Sequence, residues 1–300
     1  MTKILITGAN GFIGSNLIKR FDLNKIQVIG VYRKKNNNIS KLKDIRCVQC
    51  DLTNSKEVEF LFQDQQIDVV IHAAAIMGPP DSQNFMDKVF SNNVVAQKNL
   101  IKYAIRNSCK RFIFCSTISV YEGNPIYDKG FREDDCVKPD TLYGWSKYSS
   151  EELLRIQAIE GNIQGISLRI AGAHGFGRNS GVVFNMFKSV LQNKEIVVNE
   201  PDSCFRLAFI EDIIEGIYCA VKMKNDKPYC IYNLAGNEIF SLVALGESII
   251  KLCDKGKLVI QNNNKKRSQV MDISKIKSEL EFFPLSLHQK LEKYYQSIIT

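Results

Sequence analysis

The sequence predicts an α/β chain: a doubly wound parallel sheet followed by a smaller mixed α/β domain. Strand-like and helix-like segments alternate through the first half of the 300 residues. That order puts parallel strands in one layer, with right-handed crossover helices on both faces. Val69-Val70-Ile71 is an unbroken apolar run, the pattern of a strand covered on both sides. After about residue 171 the rhythm changes, and glycines, asparagines and shorter elements take over.

The composition is that of a globular chain, 45% apolar and 24% charged. It excludes a disordered, collagen-like or disulfide-stapled protein. No run approaches the roughly 18–20 apolar residues of a spanning helix, so no membrane partner is expected. The net charge of +8 attracts anions without saying which. It carries no basic stripe interleaved with aromatics, so no nucleic acid is expected either. Nine scattered cysteines suit a reducing compartment better than a disulfide framework. Cys47 and Cys50 form a CxxC without a second pair, and read as small core residues of a buried strand, not as zinc ligands. The opening Met1–Ile6 stretch is too short for a signal peptide, and a cytoplasmic location is expected.

The first strand, Ile4–Thr7, runs into Gly8-Ala9-Asn10-Gly11-Phe12-Ile13-Gly14, which opens the helix Phe12–Phe21. The three glycines of this GxxGxxG serve a tight turn, a close backbone approach to a pyrophosphate, and close helix–strand packing. The helix N-terminus adds N–H groups and partial positive charge. Set between strand and helix, the pattern marks a Rossmann-type dinucleotide-binding unit, with Gly8, Gly11, Phe12, Ile13 and Gly14 as candidate contacts. The second strand, Gln27–Tyr32, ends in Arg33-Lys34-Lys35, with no carboxylate where an NAD site places one for the ribose 2′-hydroxyl. Arg33 suits a 2′-phosphate, so NADP (NADPH) is favoured and NAD is the alternative; a solvated basic loop is the plainer reading.

The third strand is Ile45–Cys50, followed by Asp51, a candidate partner for an adenine amino group. Helix Lys56–Gln63, strand Asp68–Ala73, helix Asn93–Asn107, strand Phe112–Ser116, helix Tyr143–Ala158 and strand Gly165–Arg169 complete the alternation. Phe209–Val221 reads as a further strand end and helix, and Asn36–Asn38 and Asn262–Arg267 as exposed loops.

Tyr143-Gly144-Trp145-Ser146-Lys147 is a YxxxK, which on a helix places the phenol and the ammonium on one face. A nearby cation favours the phenolate and makes proton exchange with a substrate hydroxyl feasible. A surface pair has the same spacing, but Ser116-Thr117-Ile118-Ser119 at a strand end upstream supplies a hydroxyl for the reacting oxygen.

With these motifs in order, the chain resembles the extended short-chain dehydrogenase/reductase family of NAD(P)-dependent nucleotide-sugar epimerases, dehydratases and reductases. Further matches are Asp51-Leu52, Ile71-His72-Ala73-Ala74-Ala75, Asn93-Val94, Leu168-Arg169, Phe209-Ile210-Glu211-Asp212, Tyr232–Gly236 and Glu279–Pro284. The resemblance implies that Thr117, Tyr143 and Lys147 are catalytic, with Tyr143 as acid/base and Lys147 as ligand of the cofactor ribose. It implies that Asp51, Leu52, Ala73 and Ala74 line the cofactor and that Asn93 lies near it at the start of its helix. It also implies a homodimer through the helices holding Asn93 and Tyr143. Val94, Leu100, Ile101, Ala104, Leu153 and Leu154 suit that interface or a core equally.

Departures from the family pattern narrow the reaction. Dehydratases carry an Asp–Glu pair after the catalytic threonine, where this chain has Ile118 and Ser119. An NADPH-dependent 4-keto-sugar-nucleotide reductase is therefore expected, with a 4-epimerase holding tightly bound NAD as the alternative. A non-catalytic NADP sensor ranks lower because Tyr143 and Lys147 are both present. Gly172 and His174 replace the family's Asn and Tyr, so His174 is a candidate second proton donor, or a structural loop histidine. Thr117, Ser119, His174, Arg206 and Arg267 are the candidate substrate contacts, the arginines for a nucleoside diphosphate. The expected division is 1–171 with 205–235 for the cofactor, and 172–204 with 236–300 for the nucleoside-diphosphate sugar.

Overall fold

The computed structural model describes residues 2–23, 26–34, 45–77, 84–124, 130–261 and 268–299. Arg267, the loop Asn262–Arg267 and Asn36–Asn38 lie outside the described residues. The chain divides into two compact units: Met1–Asn124 with Cys136–Arg169 and Ile217–Tyr232, and Pro125–Asp135 with Ile170–Gly216 and Asn233–Thr300. The return to the first unit thus runs over 217–232, while 205–216 pack with the second.

The first unit opens with β1 (Lys3–Thr7), α1 (Phe12–Leu23), β2 (Gln27–Tyr32), β3 (Arg46–Gln49), α2 (Ser55–Phe62) and β4 (Val69–His72). A helical stretch follows: α3 (Phe85–Val89), a π-helical segment (Phe90–Val95) and α4 (Ala96–Arg106). Then come β5 (Arg111–Thr117), a 3₁₀ turn (Ile118–Val120), α5 (Leu142–Ile159) and β6 (Gln164–Ile170). The seven-stranded parallel sheet has the order β11-β6-β5-β4-β1-β2-β3, where β11 is Tyr229–Leu234. In register, Thr7 lies beside both Val31 and His72.

The apolar runs behave as a doubly covered sheet requires. Ile4, Leu5 and Ile6 have no exposed surface, and Val69–His72 is buried throughout. One face packs against Val58, Leu61 and Phe62 of α2, Leu100, Ile101 and Ala104 of α4, and Leu154 of α5. On α1, Leu17, Ile18 and Phe21 are fully buried, and the Phe21 ring lies 5.8 Å from that of Tyr218. Each such side chain contributes roughly 1.5–3 kcal/mol of burial, enough together to hold the strand ends in a fixed row.

Two expectations need correcting. β3 is an edge strand with exposed or half-buried residues, because the sheet order leaves it one strand neighbour; Cys50 is buried beyond it, and Cys47 is only half-buried. Asn93 does not begin a helix but sits inside the π-helical segment. Of the two readings left open for the apolar positions of these helices, the core holds for Val94, Leu100, Ile101, Ala104 and Leu154, which are buried in this one chain. The exposed apolar side chains of the same helices are instead Met86, Phe90, Leu142, Trp145, Ile156 and Ile159.

The second unit contains β7 (Ala173–His174), α6 (Val182–Leu191), β8 (Ile196–Val198), β9 (Cys204–Phe205), β10 (Ala208–Phe209) and the start of α7 (Ile210–Lys222). It continues through β12 (Phe240–Ser241), α8 (Leu242–Cys253), β13 (Leu258–Ile260), β14 (Ser268–Gln269), α9 (Ser274–Leu280) and α10 (Leu287–Ile299). Its strands form small sheets, β10-β7, β12-β9-β14 and β13-β8. Val183, Phe187 and Val190 of α6 pack with Leu245 and Ile249 of α8 and Leu291 of α10. A buried ion pair, Lys290 with Asp212, joins α10 to α7. Among the described residues no helix is long and apolar enough to cross a membrane.

Candidate active site

In a parallel sheet the loops leaving the carboxyl ends of adjacent strands share one edge. Gly8–Gly14 follows β1, Arg33 follows β2, Asp51 follows β3, Ala73 and Ala74 follow β4, and Thr117 ends β5. The fold therefore gathers these candidates on one edge of the sheet.

The glycine loop is held by backbone bonds, Gly11 N to Gly8 O at 2.8 Å and Ala9 N to Val31 O at 3.0 Å. Ser15 N bonds back to Gly11 O at 3.0 Å, so the backbone ladder of α1 starts there. The amides just before it are the ones that lack a carbonyl one turn behind within the helix. Gly8 sits at φ +69, where only glycine is at ease. A Cβ on Gly14 would come within 2.1 Å of Gly8 O, so the helix end can meet the loop only without one. The Asn10 side chain donates to Lys34 O at 2.6 Å, tying the loop to the residues after β2.

Arg33 is exposed and its Nη1 donates to Asn92 Oδ1. The Asp51 carboxylate accepts from Thr53 N at 3.0 Å and Thr53 Oγ1 at 2.8 Å through one oxygen, Oδ1. Leu52 is buried, and its carbonyl accepts from Asn99 at 3.0 Å. Ala74 N donates to Thr7 Oγ1 at 3.2 Å, and that oxygen lies 2.6 Å from His72 Nδ1. The Asn93 amide accepts from Ile76 N at 2.9 Å and donates to Ile76 O at 3.0 Å and to Ser146 Oγ at 2.9 Å. Asn93 therefore ties the chain after β4 to α5, and its polar atoms are already committed.

Two features bring Thr117 and the YxxxK helix together. Thr117 caps the 3₁₀ turn by accepting from Ser119 N at 3.2 Å, which leaves its O–H available to donate. Gly144 packs so closely on that turn that a Cβ would stand 2.5 Å from Ser119 O. At the other side of α5's first turn, Thr141 Oγ1 accepts from Gly144 N at 3.1 Å, fixing the helix start.

Lys147 is buried, with its Nζ 4.4 Å from the centre of the Phe114 ring. Among the described residues no hydrogen-bond acceptor reaches it. Burial pulls its pKa down to about 8, against the opposing pull of Cys115 and Glu151. His72, wholly buried and stacked 5.8 Å from Phe114, is held down to about 3 by burial and then by Lys147.

The second unit holds the other candidates. His174 is buried beside Gly172, and a Cβ on Gly181 would stand 2.9 Å from its Cε1. Burial and then Arg178 hold its pKa down to about 3. The ring is therefore neutral at physiological pH and has no imidazolium proton to give, which counts against the proton-donor reading. Arg206 Nη1 donates to Met271 O at 2.8 Å, while its buried Nε has no partner among the described residues.

Sequence reading missed a buried network beside Thr117. Glu151 pairs with Arg169, Nη2 to Oε2 at 2.7 Å, with both side chains 2% exposed or less. Ser116 Oγ donates to Glu151, and Arg169 donates to Tyr121 Oη. Tyr143, Lys147 and Glu151 recur every fourth residue, so the shared helix face was visible in the sequence; the partner on β6 was not.

The glycine cradle and the buried Lys147, whose ammonium has no hydrogen-bond acceptor among the described residues, both fit a nicotinamide dinucleotide, the first for its phosphates and the second for hydroxyls. Fold and site define an NAD(P)-dependent enzyme of the nucleotide-sugar class. The chain belongs to the NAD dependent epimerase/dehydratase family, whose sequence pattern matches residues 4–235. It is 28% identical to dTDP-4-dehydro-6-deoxyglucose reductase of Escherichia coli, over 98% of this chain and 97% of that one. It is 26% identical to human dTDP-D-glucose 4,6-dehydratase, over 83% and 73% of the two chains. UDP-glucuronic acid 4-epimerase of Bacillus cereus, solved in complex with NAD, superposes with a TM-score of 0.85 at 27% identity, over 99% of both chains.

Proposed function

We propose that this enzyme reduces the 4-keto group of a nucleoside-diphosphate sugar with NADPH. The observation that carries the choice is Arg33. At the end of β2 the chain presents an exposed guanidinium, oriented by Asn92, where an NAD site would present a carboxylate. Ile118 and Ser119, in place of an acid–base pair, argue against dehydration although one relative is a dehydratase.

In this reading Gly8, Gly11, Phe12, Ile13 and Gly14 hold the pyrophosphate, Asp51 and Leu52 the adenine side, and Ala73 and Ala74 the wall after β4. Asn93 acts by fixing that wall. The dinucleotide, when bound, supplies the hydride. Tyr143 gives its phenolic proton to the carbonyl oxygen, and Thr117 donates a hydrogen bond to the same oxygen. Lys147 binds the ribose hydroxyls, and its charge favours the phenolate left on Tyr143. Arg206 and Arg267 are assigned to the diphosphate, and Ser119 and neutral His174 to hydrogen bonds with the sugar. A homodimer is part of the proposal, supported by exposed Met86, Phe90 and Trp145, as is a reducing, cytoplasmic setting, supported by nine cysteines present as thiols.

The second reading is 4-epimerisation with retained NAD, favoured by the epimerase superposition. A panel of nucleotide sugars and their 4-keto derivatives, each with NADH and NADPH, separates the two. Net loss of reduced-nicotinamide absorbance with a keto substrate is expected; conversion of a sugar without net absorbance change establishes the epimerase instead. In the same assay Tyr143→Phe should lose turnover and keep cofactor binding. Arg33→Ala should raise the KM for NADPH about 10–100-fold, the scale of a charge-assisted contact, and leave NADH nearly unchanged. An unaltered NADPH preference refutes the 2′-phosphate contact.

A further inference from the structure

We propose that Glu151 and Arg169 are positioning residues of the reaction, a buried ion pair that locks the carrier of Thr117 to the carrier of Lys147. This rests on the roles proposed above for Thr117, Tyr143 and Lys147.

The geometry is that of a clamp with four ends. Arg169, on β6, meets the Glu151 carboxylate through Nε at 3.1 and 3.2 Å and through Nη2 at 2.7 Å. Glu151 stands one helical turn beyond Lys147 on α5. Its Oε1 also accepts from Ser116, the residue before Thr117. The other arm of Arg169, Nη1, donates to Tyr121 at 2.5 Å, just past the 3₁₀ turn. The segment from 116 to 121 is thus gripped on both sides of Thr117 by one ion pair. A lone buried charge would be costly, but this pair satisfies most of its own hydrogen-bonding capacity, as a pair retained for geometry must.

The same carboxylate sets the charge around Lys147. From β5, Cys115 faces it as a thiol pushed up to about 12 by burial, hence neutral at physiological pH. From β4, His72 is neutral as well. On α5 itself the titratable groups of this face are Tyr143 and Glu151. Glu151 is thus the anion that helps keep the buried ammonium protonated, while Arg169 balances it from β6. Burial works against the Arg169 charge, yet Glu151 and then Tyr121 raise its pKa.

The decisive variant is Glu151→Gln, which keeps an oxygen for Ser116 and removes the charge. Lys147 ionisation is followed by carbon-13 NMR of lysine-labelled protein, with the resonance assigned through Lys147→Met. The expected result is a Lys147 titration displaced to lower pH than in wild type, with the alkaline limb of kcat/KM moving with it. The kcat for the keto sugar nucleotide should fall about 10–100-fold, with its KM little changed. A Lys147 titration identical to wild type overturns the inference. Should Glu151→Gln not fold, Ser116→Ala and Tyr121→Phe each remove one link without burying a bare charge. Each is expected to lower kcat severalfold at unchanged KM, and wild-type kcat in both overturns the clamp. If the wild-type enzyme reduces no keto sugar nucleotide, the functional reading fails, yet the Lys147 titration still decides this one.

Discussion

At the scale of single residues, the site concentrates charges that folding alone would avoid. Lys147 is buried, and its pKa is drawn from 10.5 to about 8. At about 1.4 kcal/mol per pH unit, that shift corresponds to roughly 3 kcal/mol against the folded state at neutral pH. Between about pH 8 and 10.5 the folded protein binds fewer protons at this site than the unfolded chain does, so stability gains from this group as pH rises through that window. Lys147→Met should therefore be inactive and yet more stable at pH 7, by about 1–3 kcal/mol, with the difference vanishing near pH 10.5. Urea melts of both proteins at the two pH values check this, and a variant less stable at pH 7 refutes the account. The side chains proposed to react, Tyr143, Lys147 and Thr117, were picked out from the sequence because they stand in motifs of fixed spacing. Their support was not. Arg169 lies 18 residues beyond Glu151, and His72 lies 65 beyond Thr7. Only strand register and sheet order bring such partners together.

At the scale of elements, tight packing of the first helix against its loop decides whether a phosphate site exists. A Cβ on Gly14 would meet Gly8 O at 2.1 Å, a backbone atom that cannot swing aside. A Cβ on Gly30, in β2, would meet Ile18 Cδ1 at 3.0 Å, Cys47 Sγ at 3.1 Å and Ala9 Cβ at 3.1 Å, the first two being side-chain tips that can yield. Gly14→Ala should lower stability by about 3 kcal/mol, the upper range of overpacking, and weaken NADPH binding at least tenfold. Gly30→Ala should cost about 1 kcal/mol and weaken NADPH binding far less than Gly14→Ala does. Thermal melts with cofactor titration distinguish them, and equal effects would remove the special place of the loop. The alternating strands and helices of the first unit were readable from apolar runs and helical periodicity, whereas the Thr141 cap that fixes the start of α5 came only with the structure. The π-helical segment at Phe90–Val95 was not legible either, since nothing in Ser91-Asn92-Asn93-Val94 separates it from an ordinary helix. Nor was the edge position of β3, which depends on the order of strands and not on their composition.

At the scale of the whole molecule, three cations among the described residues are internal, and only Lys147 among them adds to the positive surplus. Arg169 and Lys290 are buried against the carboxylates of Glu151 and Asp212, so nearly all of the +8 lies outside the buried interior. Local sequence showed where the rhythm changed near residue 171, but not that 205–216 pack with the second unit, which is set by long-range contacts such as Ala208 N to Gly172 O at 3.0 Å. Each unit carries one buried histidine, His72 in the first and His174 in the second, both held at about 3. Above pH 6.5 neither costs anything, because the imidazole is neutral whether the chain is folded or not. Between about pH 6.5 and 3 the unfolded chain takes up a proton at each that the folded unit refuses. Each unit should therefore lose about 1.4 kcal/mol per pH unit on acidification through its own histidine. The single tryptophan, Trp145, lies in the first unit, so its fluorescence reports on that unit, and on it alone if the two units unfold separately. Urea melts read by Trp145 between pH 4.5 and 7.5 should flatten by that slope in His72→Gln and stay as in wild type in His174→Gln. Far-ultraviolet circular dichroism, which sees both units, should register a change in either variant. A Trp145 profile that responds equally to both substitutions would mean that the two units unfold as one, and an unchanged slope in His72→Gln would show that this imidazole is not held neutral in the folded state.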